Sequence, residues 1–190
     1  IFDMIDLAKP PPYTKDDSIL LRPYAMEDTD RLYEAAKESI DEVYPFLPWC
    51  HPDYVREESE EWITSCIKRW DKGAVFNFAI FELSDLTFLG GCGLDLLGSG
   101  NCRANLGYWV RTSATGRGIA TRATKLLIAY GFKHLALRRI EILMATHNHA
   151  SRKVAVNAGA SFEGTLRNRL VIDDVSYDTY SYAVIPSDFA

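Results

Sequence analysis

Hydrophobic and polar positions along this chain follow a two-residue period in some segments and a helical period in others. Strand-like alternation or short apolar runs occur in seven segments: residues 19–22, 75–83, 87–97, a segment ending at 110, 139–145, 162–172 and 176–185. Helical spacing of apolar positions occurs in four segments: residues 27–39, 54–70, the stretch that begins after 118, and 148–158. The predicted order is therefore β-α-α-β-β-β-α-β-α-β-β, an α/β fold with a mixed sheet and four helices.

Prolines and turn residues divide the chain without marking a second domain. Residues 1–17 contain three consecutive prolines, which do not favour regular structure, so we predict an extended N-terminal arm there. Residues 98–101 form a glycine-rich turn, and residues 173–174 form the turn of a terminal hairpin. Since the 190-residue chain has no repeat and no linker, residues 18–190 are predicted to form a single domain.

The loop between the strand ending at Val110 and the next helix is spaced by glycines. Gly116 and Gly118, followed by the small Ala120, let backbone N–H groups approach an anion without interference from a Cβ atom. The start of the helix adds unpaired N–H groups and the positive end of its dipole. This loop therefore predicts a cradle for a pyrophosphate.

Two other phosphate-binding motifs fit the loop poorly. A Walker loop requires Gly-Lys followed by Ser or Thr, and the chain contains no such triplet. A dinucleotide-binding loop requires G-x-G-x-x-G, but Thr121 stands at the third glycine, and Glu141 lies at the start of the next strand rather than at its end. An ordinary glycine-rich turn is the remaining alternative on the glycines alone.

A second strand–loop–helix unit follows the cradle. Asn148 is a predicted N-cap of its helix, and Gly159 is a predicted C-terminal stop. Together the two units resemble the GNAT superfamily of acetyl-CoA-dependent N-acetyltransferases. The first is similar to the (Q/R)-G-x-G-x-(G/A) motif of that family, with Thr115 at the first position, and the second to its strand followed by an Asn-x-x-Ser helix.

Within that superfamily the chain resembles the RimJ/RimL branch, the ribosomal-protein N-terminal acetyltransferases. The resemblance rests on Leu-Pro-Trp at 47–49, Leu-Gly-Tyr-Trp at 106–109 and Phe-Glu-Gly-Thr-Leu at 162–166. It covers roughly residues 18–186 in order.

The resemblance implies a mixed sheet in which the strand before the cradle and the strand after its helix run parallel and splay apart. Acetyl-CoA, as co-substrate, is expected in the resulting wedge, and no metal is expected. Arg117 and Arg122 lie around the cradle in the sequence and are candidate phosphate contacts. The implied cofactor-binding residues are Tyr108, Trp109, Val110, Thr115, Gly116, Arg117, Gly118, Ile119, Ala120, Thr121, Asn148 and Arg152.

Ser151 is the candidate proton donor. In the RimJ/RimL branch the Ser of the Asn-x-x-Ser motif faces the CoA sulfur, and Ser151 matches it. The tyrosine that many other GNAT enzymes place on this helix is absent, because Ala155 stands there. A hydroxyl that only caps backbone groups is the alternative interpretation of Ser151.

The carboxylates that the branch uses as bases are not present, because Asn105 and Leu170 stand at those positions. Asp95 is the leading substitute and is included as a candidate catalytic residue, with Asp178 second. Either residue is alternatively an exposed acid at a strand end. In the absence of any substitute, the amine loses its proton to bulk water.

A site with a weak base favours an acceptor that is already neutral. An α-amine with a pKa near 7.8 is roughly 10–15% neutral at pH 7, whereas a lysine side chain near 10.4 is below about 0.1% neutral. We therefore predict an acetyl-CoA-dependent N-acetyltransferase acting on the α-amine of a protein or peptide, of the ribosomal-protein type. The alternatives are acetylation of a small-molecule amine (polyamine, amino acid or antibiotic) and a CoA-binding protein that has lost catalysis.

Composition changes this picture little. A net charge of −5 argues against direct binding of nucleic acid and suits a basic acceptor such as a ribosomal-protein N-terminus. The four cysteines and four histidines lack the spacing of metal ligands. We therefore expect the cysteines to be reduced thiols. With no signal peptide and no long apolar run, we expect a cytoplasmic protein that does not contact membranes, with a homodimer as a candidate assembly.

Overall fold

The computed structural model describes residues 11–98 and 102–188 of the 190-residue chain. Its strands are Thr14–Lys15 (β1), Ile19–Pro23 (β2), Val75–Glu82 (β3), Phe88–Leu96 (β4), Arg103–Val110 (β5), Arg139–Ala145 (β6), Ser161–Ile172 (β7) and Val175–Val184 (β8). Its α-helices are Thr29–Glu38 (α1), Ile40–Val43 (α2), Arg56–Asp71 (α3), Ile119–His134 (α4) and His149–Asn157 (α5). Short 3₁₀ helices lie at Met26–Asp28, Thr112–Ala114 and Pro186–Asp188. Within the described ranges, no helix combines the length and the apolar character needed to cross a bilayer.

All strands belong to one mixed sheet in the order β1-β2-β3-β4-β5-β6-β8-β7, which confirms the predicted α/β class. Every neighbouring pair is antiparallel except β5 and β6, which run parallel because α4 connects them as a crossover. These two strands pair only between Arg103–Asn105 and Arg139–Glu141. Beyond that point, residues 106–110 of β5 and 142–145 of β6 have no ladder between them. This gap is called the wedge below, and its closed end lies at the last paired residues.

Side chains of β5 alternate between two cores. Leu106 is buried in the larger core, which also contains apolar residues of α4 and α5, and Tyr108 and Val110 pack against it. Trp109 points to the opposite face and packs against the smaller cores formed with α1, α2 and α3. The sheet is therefore covered by α4 and α5 on one face and by α1 to α3 on the other.

The buried face of α4 fixes the position of the cradle. Ile119, Ala123, Leu127 and Tyr130 recur at helical spacing and are all buried in the larger core. Gly131 lies on the same face, where a Cβ atom would come within 2.9 Å of side-chain atoms of α4's neighbours. Because this packing begins at the first residue of the helix, the N-terminus of α4 is held next to the end of β5.

Two elements differ from the sequence-based expectation. β1 lies inside the predicted N-terminal arm, and its two residues, Thr14 and Lys15, pair with Leu21 and Leu20 of β2. α2 was not predicted, because four helical residues carry too little periodicity to be recognised. Residues 1–10 of the predicted arm, and most of the predicted turn at 98–101, lie outside the described residues.

Candidate active site

The loop before α4 has the backbone geometry of an anion cradle. Gly116 and Gly118 have φ angles of +74° and +76°, a left-handed conformation that favours glycine. Nothing lies within 4 Å of the position that a Cβ atom would take at either residue, so the space beside the loop is open. Gly118 is the N-cap of α4, and the N–H groups of Ile119, Ala120 and Thr121 are first-turn donors without a partner inside the helix. These donors and the helix dipole fit a pyrophosphate.

The cationic side chains beside the cradle are paired with carboxylates. Arg117 forms an ion pair with Glu82 of β3. Arg122 Nη1 lies 3.0 Å from Asp16 Oδ2 and 2.9 Å from Asp17 Oδ1, which places residues of the chain just after β1 against α4. Both arginines are at the rim of the loop, as the sequence indicated, but their charge is partly neutralised there. The donors that remain unpaired at the cradle are therefore mainly its backbone N–H groups.

The end of α1 fixes the segment between β5 and the cradle. Arg111 Nε lies 3.2 Å and 3.1 Å from the two carboxylate oxygens of Glu38, and the Ser113 N–H donates to Glu38 Oε1 at 2.8 Å. These donors lower the pKa of Glu38 to about 2, and Arg111 has the largest effect. Partial burial acts in the opposite direction and raises the pKa. The Thr115 hydroxyl donates to the carbonyl of Thr112 at 2.9 Å and closes the turn before the cradle. The cradle is thus preorganised by contacts made within the protein.

The wedge exposes one backbone edge of β5. Gly107 is exposed, and nothing lies within 4 Å of the position of a Cβ atom there. Tyr108 and Val110 turn toward α4 and α5, whereas the Trp109 ring meets Trp49 edge to face with centroids 5.2 Å apart. Among the described residues, this edge has no strand partner beyond the closed end of the wedge. Such an edge can pair with an extended amide-containing chain as an added strand would.

Asn148 and Ser151 form the predicted start of α5. Asn148 Oδ1 accepts a hydrogen bond from the Ser151 N–H at 3.0 Å, so the N-cap is confirmed. Ser151 Oγ lies 2.9 Å from Tyr108 Oη, and Tyr108 also donates to the Ser151 carbonyl oxygen at 3.1 Å. Burial raises the pKa of Tyr108 to about 12 and outweighs the opposite effect of its bond with Ser151. The Ser151 hydroxyl is therefore bonded across the wedge to β5.

The two positions where the RimJ/RimL branch has a carboxylate base hold no carboxylate in this chain. Asn105 lies at the closed end of the wedge, where its Oδ1 is buried and has no hydrogen-bond partner in the described part of the chain. Leu170 lies on β7 opposite Tyr177. Asp178 Oδ1 accepts a hydrogen bond from the Asn168 N–H at 3.0 Å, which stabilises the hairpin of β7 and β8.

Asp95 does not lie at the open part of the wedge. It pairs with Asn105 in the register of β4 and β5, which places it at the closed end. Its side chain is 53% exposed, and its carboxylate lies 3.2 Å from Arg69 Nη2 of α3. This ion pair joins the sheet to α3 and gives Asp95 a structural contact.

Arg152 lies beside the terminal hairpin. Its Nε donates to Tyr182 Oη at 3.2 Å, and its guanidinium carbon lies 5.5 Å from the centre of the Tyr180 ring. The resemblance implied a cofactor contact for this side chain, whereas its contacts in the structure are with β8.

Cysteine and histidine side chains form no metal site in residues 11–98 and 102–188, where no group of three or more metal-ligating side chains occurs. Cys50, Cys66 and Cys92 are buried and Cys102 is exposed. Burial raises the pKa of the thiols of Cys50 and Cys66 to about 11, so both stay protonated at neutral pH.

Sequence reasoning missed three features of this site. It predicted a co-substrate contact only for the backbone of Tyr108. Strand alternation, however, places the Tyr108 side chain on the sheet face that α5 covers. It did not find the contact between Glu38 and Arg111, because residues 73 positions apart carry no shared local pattern. It named Asn105 only as a missing base, whereas the structure shows an unpaired amide oxygen.

Comparison with known proteins gives concordant results. The profile of the acetyltransferase (GNAT) domain family matches residues 18–161. The chain is 30% identical over 176 residues to the probable N-acetyltransferase YjcK of Bacillus subtilis (strain 168), covering 92% of this chain and 97% of that protein. It is 26% identical over 171 residues to the ribosomal-protein-serine acetyltransferase of Escherichia coli (strain K12), covering 89% and 93% of the two chains. The crystal structure of the microcin C7 self-immunity acetyltransferase MccE with acetyl-CoA and AMP superposes with a TM-score of 0.86 at 22% identity, covering 95% of this chain and 99% of that one.

Proposed function

The chain belongs to the acetyltransferase (GNAT) domain family, and we propose that it transfers the acetyl group of acetyl-CoA to the α-amine of a protein or peptide. The observation that carries this proposal is an open wedge next to a backbone cradle, at a site whose two expected base positions are neutral. Those positions, where the RimJ/RimL branch has carboxylates, hold Asn105 and Leu170. The name of the similar Escherichia coli protein supports an acceptor of the ribosomal-protein type. An acceptor of that type places the enzyme in the cytoplasm.

The backbone of the cradle and of β5 holds the co-substrate in this proposal. Bound acetyl-CoA supplies an acetyl thioester, which is activated for transfer to an amine. The N–H groups of Gly116, Gly118 and the first turn of α4 bind its pyrophosphate. The open edge of β5 at Tyr108–Val110 pairs with the pantetheine amides, and one N–H of that edge stabilises the negative charge that develops on the acyl oxygen.

Ser151 is the proposed proton donor. Its hydroxyl lies in the first turn of α5, beside the wedge, and its backbone N–H is already bonded to Asn148. The hydroxyl is therefore not needed as a cap and can donate to the departing sulfur. Because a thiol with a pKa near 8.5 is a fair leaving group, one such donor is sufficient.

The acceptor follows from the neutral side chains at the two positions where the RimJ/RimL branch has its carboxylate base. A lysine side chain differs from an α-amine by about 2.6 pKa units, which is over 3 kcal/mol of protonation free energy at 1.36 kcal/mol per unit. Neither an asparagine nor a leucine side chain can take a proton from the amine. The site is therefore suited to amines that are already partly neutral at pH 7, and the net charge of −5 suits a basic acceptor.

A CoA-binding protein without catalysis is the second candidate, and the same residues, Asn105 and Leu170, favour it. The two candidates separate in a thiol-release assay with acetyl-CoA and a panel of amines. The panel contains peptides with a free α-amine, the same peptides with a blocked N-terminus and an internal lysine, a polyamine, an amino acid and an aminoglycoside.

We expect steady release of thiol with the free peptides and at least 10-fold less with the blocked ones. Turnover only with a small amine would replace the proposed acceptor with a small molecule. Tight binding of acetyl-CoA with no turnover on any amine would establish the second candidate.

A further inference from the structure

Tyr108 and Ser151 form a hydroxyl pair that crosses the wedge. Tyr108 extends from β5 beyond the point where β5 and β6 stop pairing, and Ser151 lies in the helix that follows β6. The two hydroxyl oxygens are 2.9 Å apart, and Tyr108 Oη is 3.1 Å from the Ser151 carbonyl oxygen. The pair therefore links the two sides of the wedge at the residue assigned above to the leaving sulfur.

The number of protons in this pair restricts what each hydroxyl can donate. Each hydroxyl carries one proton, and the Ser151 carbonyl oxygen can only accept. When Tyr108 donates to the carbonyl, the Ser151 proton can point back to Tyr108. When Tyr108 donates to Ser151 Oγ instead, the Ser151 proton must point to a third atom. In the described part of the chain, Ser151 Oγ has Tyr108 as its hydrogen-bond partner and no other, so that third atom belongs to water or to a bound co-substrate.

Tyr108 is suited to remain a donor throughout. Because burial raises the pKa of its hydroxyl to about 12, it keeps its proton at physiological pH. Its ring packs against the larger core, which restricts the position of the hydroxyl. Hydrogen bonds in a chain polarise one another, so a donation from Tyr108 makes the Ser151 proton a better donor in turn.

We propose that Tyr108 is a positioning residue for Ser151, which by donating to Ser151 Oγ turns the Ser151 proton toward the leaving sulfur. This inference rests on the proposed function, since it requires Ser151 to act on that sulfur. The amine nitrogen forms a C–N bond with the acetyl carbon, and the C–S bond breaks. Ser151 gives its proton to the sulfur as the electron pair of the broken C–S bond arrives there. Ser151 Oγ then regains a proton from water, which takes up the proton released by the amine, and Tyr108 keeps its own.

The test compares Tyr108→Phe, Ser151→Ala and the double variant with Tyr54→Phe. Tyr54 is the matched control, because its hydroxyl also lies 2.9 Å from a serine hydroxyl, that of Ser59, in a buried pair elsewhere in the fold. Three quantities are measured: kcat, the Kd of acetyl-CoA by calorimetry, and the pKa of the thiol of bound CoA from the ultraviolet absorbance of the thiolate.

We expect Tyr108→Phe to lower kcat about 10-fold and Ser151→Ala about 100-fold. The double variant should match Ser151→Ala, because Tyr108 acts only through Ser151. Both single variants should raise the pKa of the bound thiol by about one unit, with the Kd of acetyl-CoA within a few-fold of the wild type. Tyr54→Phe should leave all three quantities unchanged.

Other results would overturn one claim or both. An unchanged kcat in Ser151→Ala would remove the assigned role of Ser151 and this inference with it. If Ser151→Ala lowers kcat and Tyr108→Phe leaves kcat at the wild-type value, only the inference is overturned. The same holds if the two substitutions lower kcat independently, so that their effects multiply in the double variant. A Tyr108→Phe variant that weakens acetyl-CoA binding without changing the thiol pKa would show a packing role and also overturn it.

A second replacement covers the case in which Tyr108→Phe does not fold. Site-specific ortho-fluorotyrosine at position 108 keeps the ring and makes its hydroxyl a stronger donor. We expect it to lower the pKa of the bound CoA thiol below the wild-type value. No change in that pKa would contradict the inference.

Discussion

The contact between Glu38 and Arg111 is expected to make stability depend on pH in a defined range. Glu38 accepts from the Arg111 guanidinium and from the Ser113 N–H, and these bonds lower its pKa from the ordinary 4.5 to about 2. A group whose pKa is lowered on folding stabilises the native state above its unfolded pKa. That stabilisation is lost as the pH falls through the folded pKa. Glu38→Gln should therefore destabilise the protein at pH 7 and progressively less below pH 4.5.

The magnitude follows from the shift and from exposure. A shift of about 2.5 units corresponds to about 3.4 kcal/mol as an upper bound. Since the side chains of Arg111 and Glu38 remain 20% and 27% exposed, screening by solvent reduces the expected loss at pH 7 to about 1–2 kcal/mol. With these two pKa values, about three quarters of the effect remains at pH 4 and about two fifths at pH 3.

Urea unfolding of the wild type and Glu38→Gln between pH 7 and pH 3 measures this difference directly. Asp30→Asn is the control, because the pair of Asp30 and Arg56 is also an ion pair to arginine but is 71% and 46% exposed. We expect that control to lose much less stability than Glu38→Gln, because an ion pair this exposed contributes little. A difference between the wild type and Glu38→Gln that stays constant from pH 7 to pH 3 would refute the assignment of the low pKa to this contact.

Three further predictions concern the cradle, the cap and the base. Gly118→Val should abolish the rise of about 5–11 °C in melting temperature that acetyl-CoA produces at 100 times its Kd; Gly73→Val, at an equally open glycine with a φ of +63°, should retain it. Asn148→Ala should lower the free energy of unfolding by about 1 kcal/mol and weaken acetyl-CoA binding, as urea unfolding and calorimetry will show. Asp95→Asn should leave the pH profile of kcat/KM unchanged, because its carboxylate pairs with Arg69; a fall of about 100-fold at neutral pH would instead identify Asp95 as the base.

The local backbone features that sequence predicted correctly are those with local causes. Gly116 and Gly118 are recognisable because a left-handed backbone favours glycine, and Asn148 because a short side chain before a helical pattern can cap it. The parallel strands around α4 followed from the order of the elements and from the family resemblance.

The parts that sequence did not predict depend on strand register and on distant contacts. The strand carrying Asp95 was recognised, but only its register with Asn105 shows that this residue lies at the closed end of the wedge. The reach of Tyr108 to Ser151 depends on how far β5 and β6 diverge, which no local pattern encodes. β1 was missed because two residues cannot display alternation.

The short ladder between β5 and β6 has a consequence for the protein outside catalysis. Most proteins confine unpaired strand edges to the border of a sheet, where charges, bulges or prolines discourage association with other chains. Here such an edge lies in the middle of the sheet, along residues 106–110, where it has to remain accessible. We therefore expect the ligand-free enzyme to be the form most prone to capture extended peptides and to aggregate. Bound co-substrate would then cover this edge and reduce aggregation, in addition to serving as a reactant.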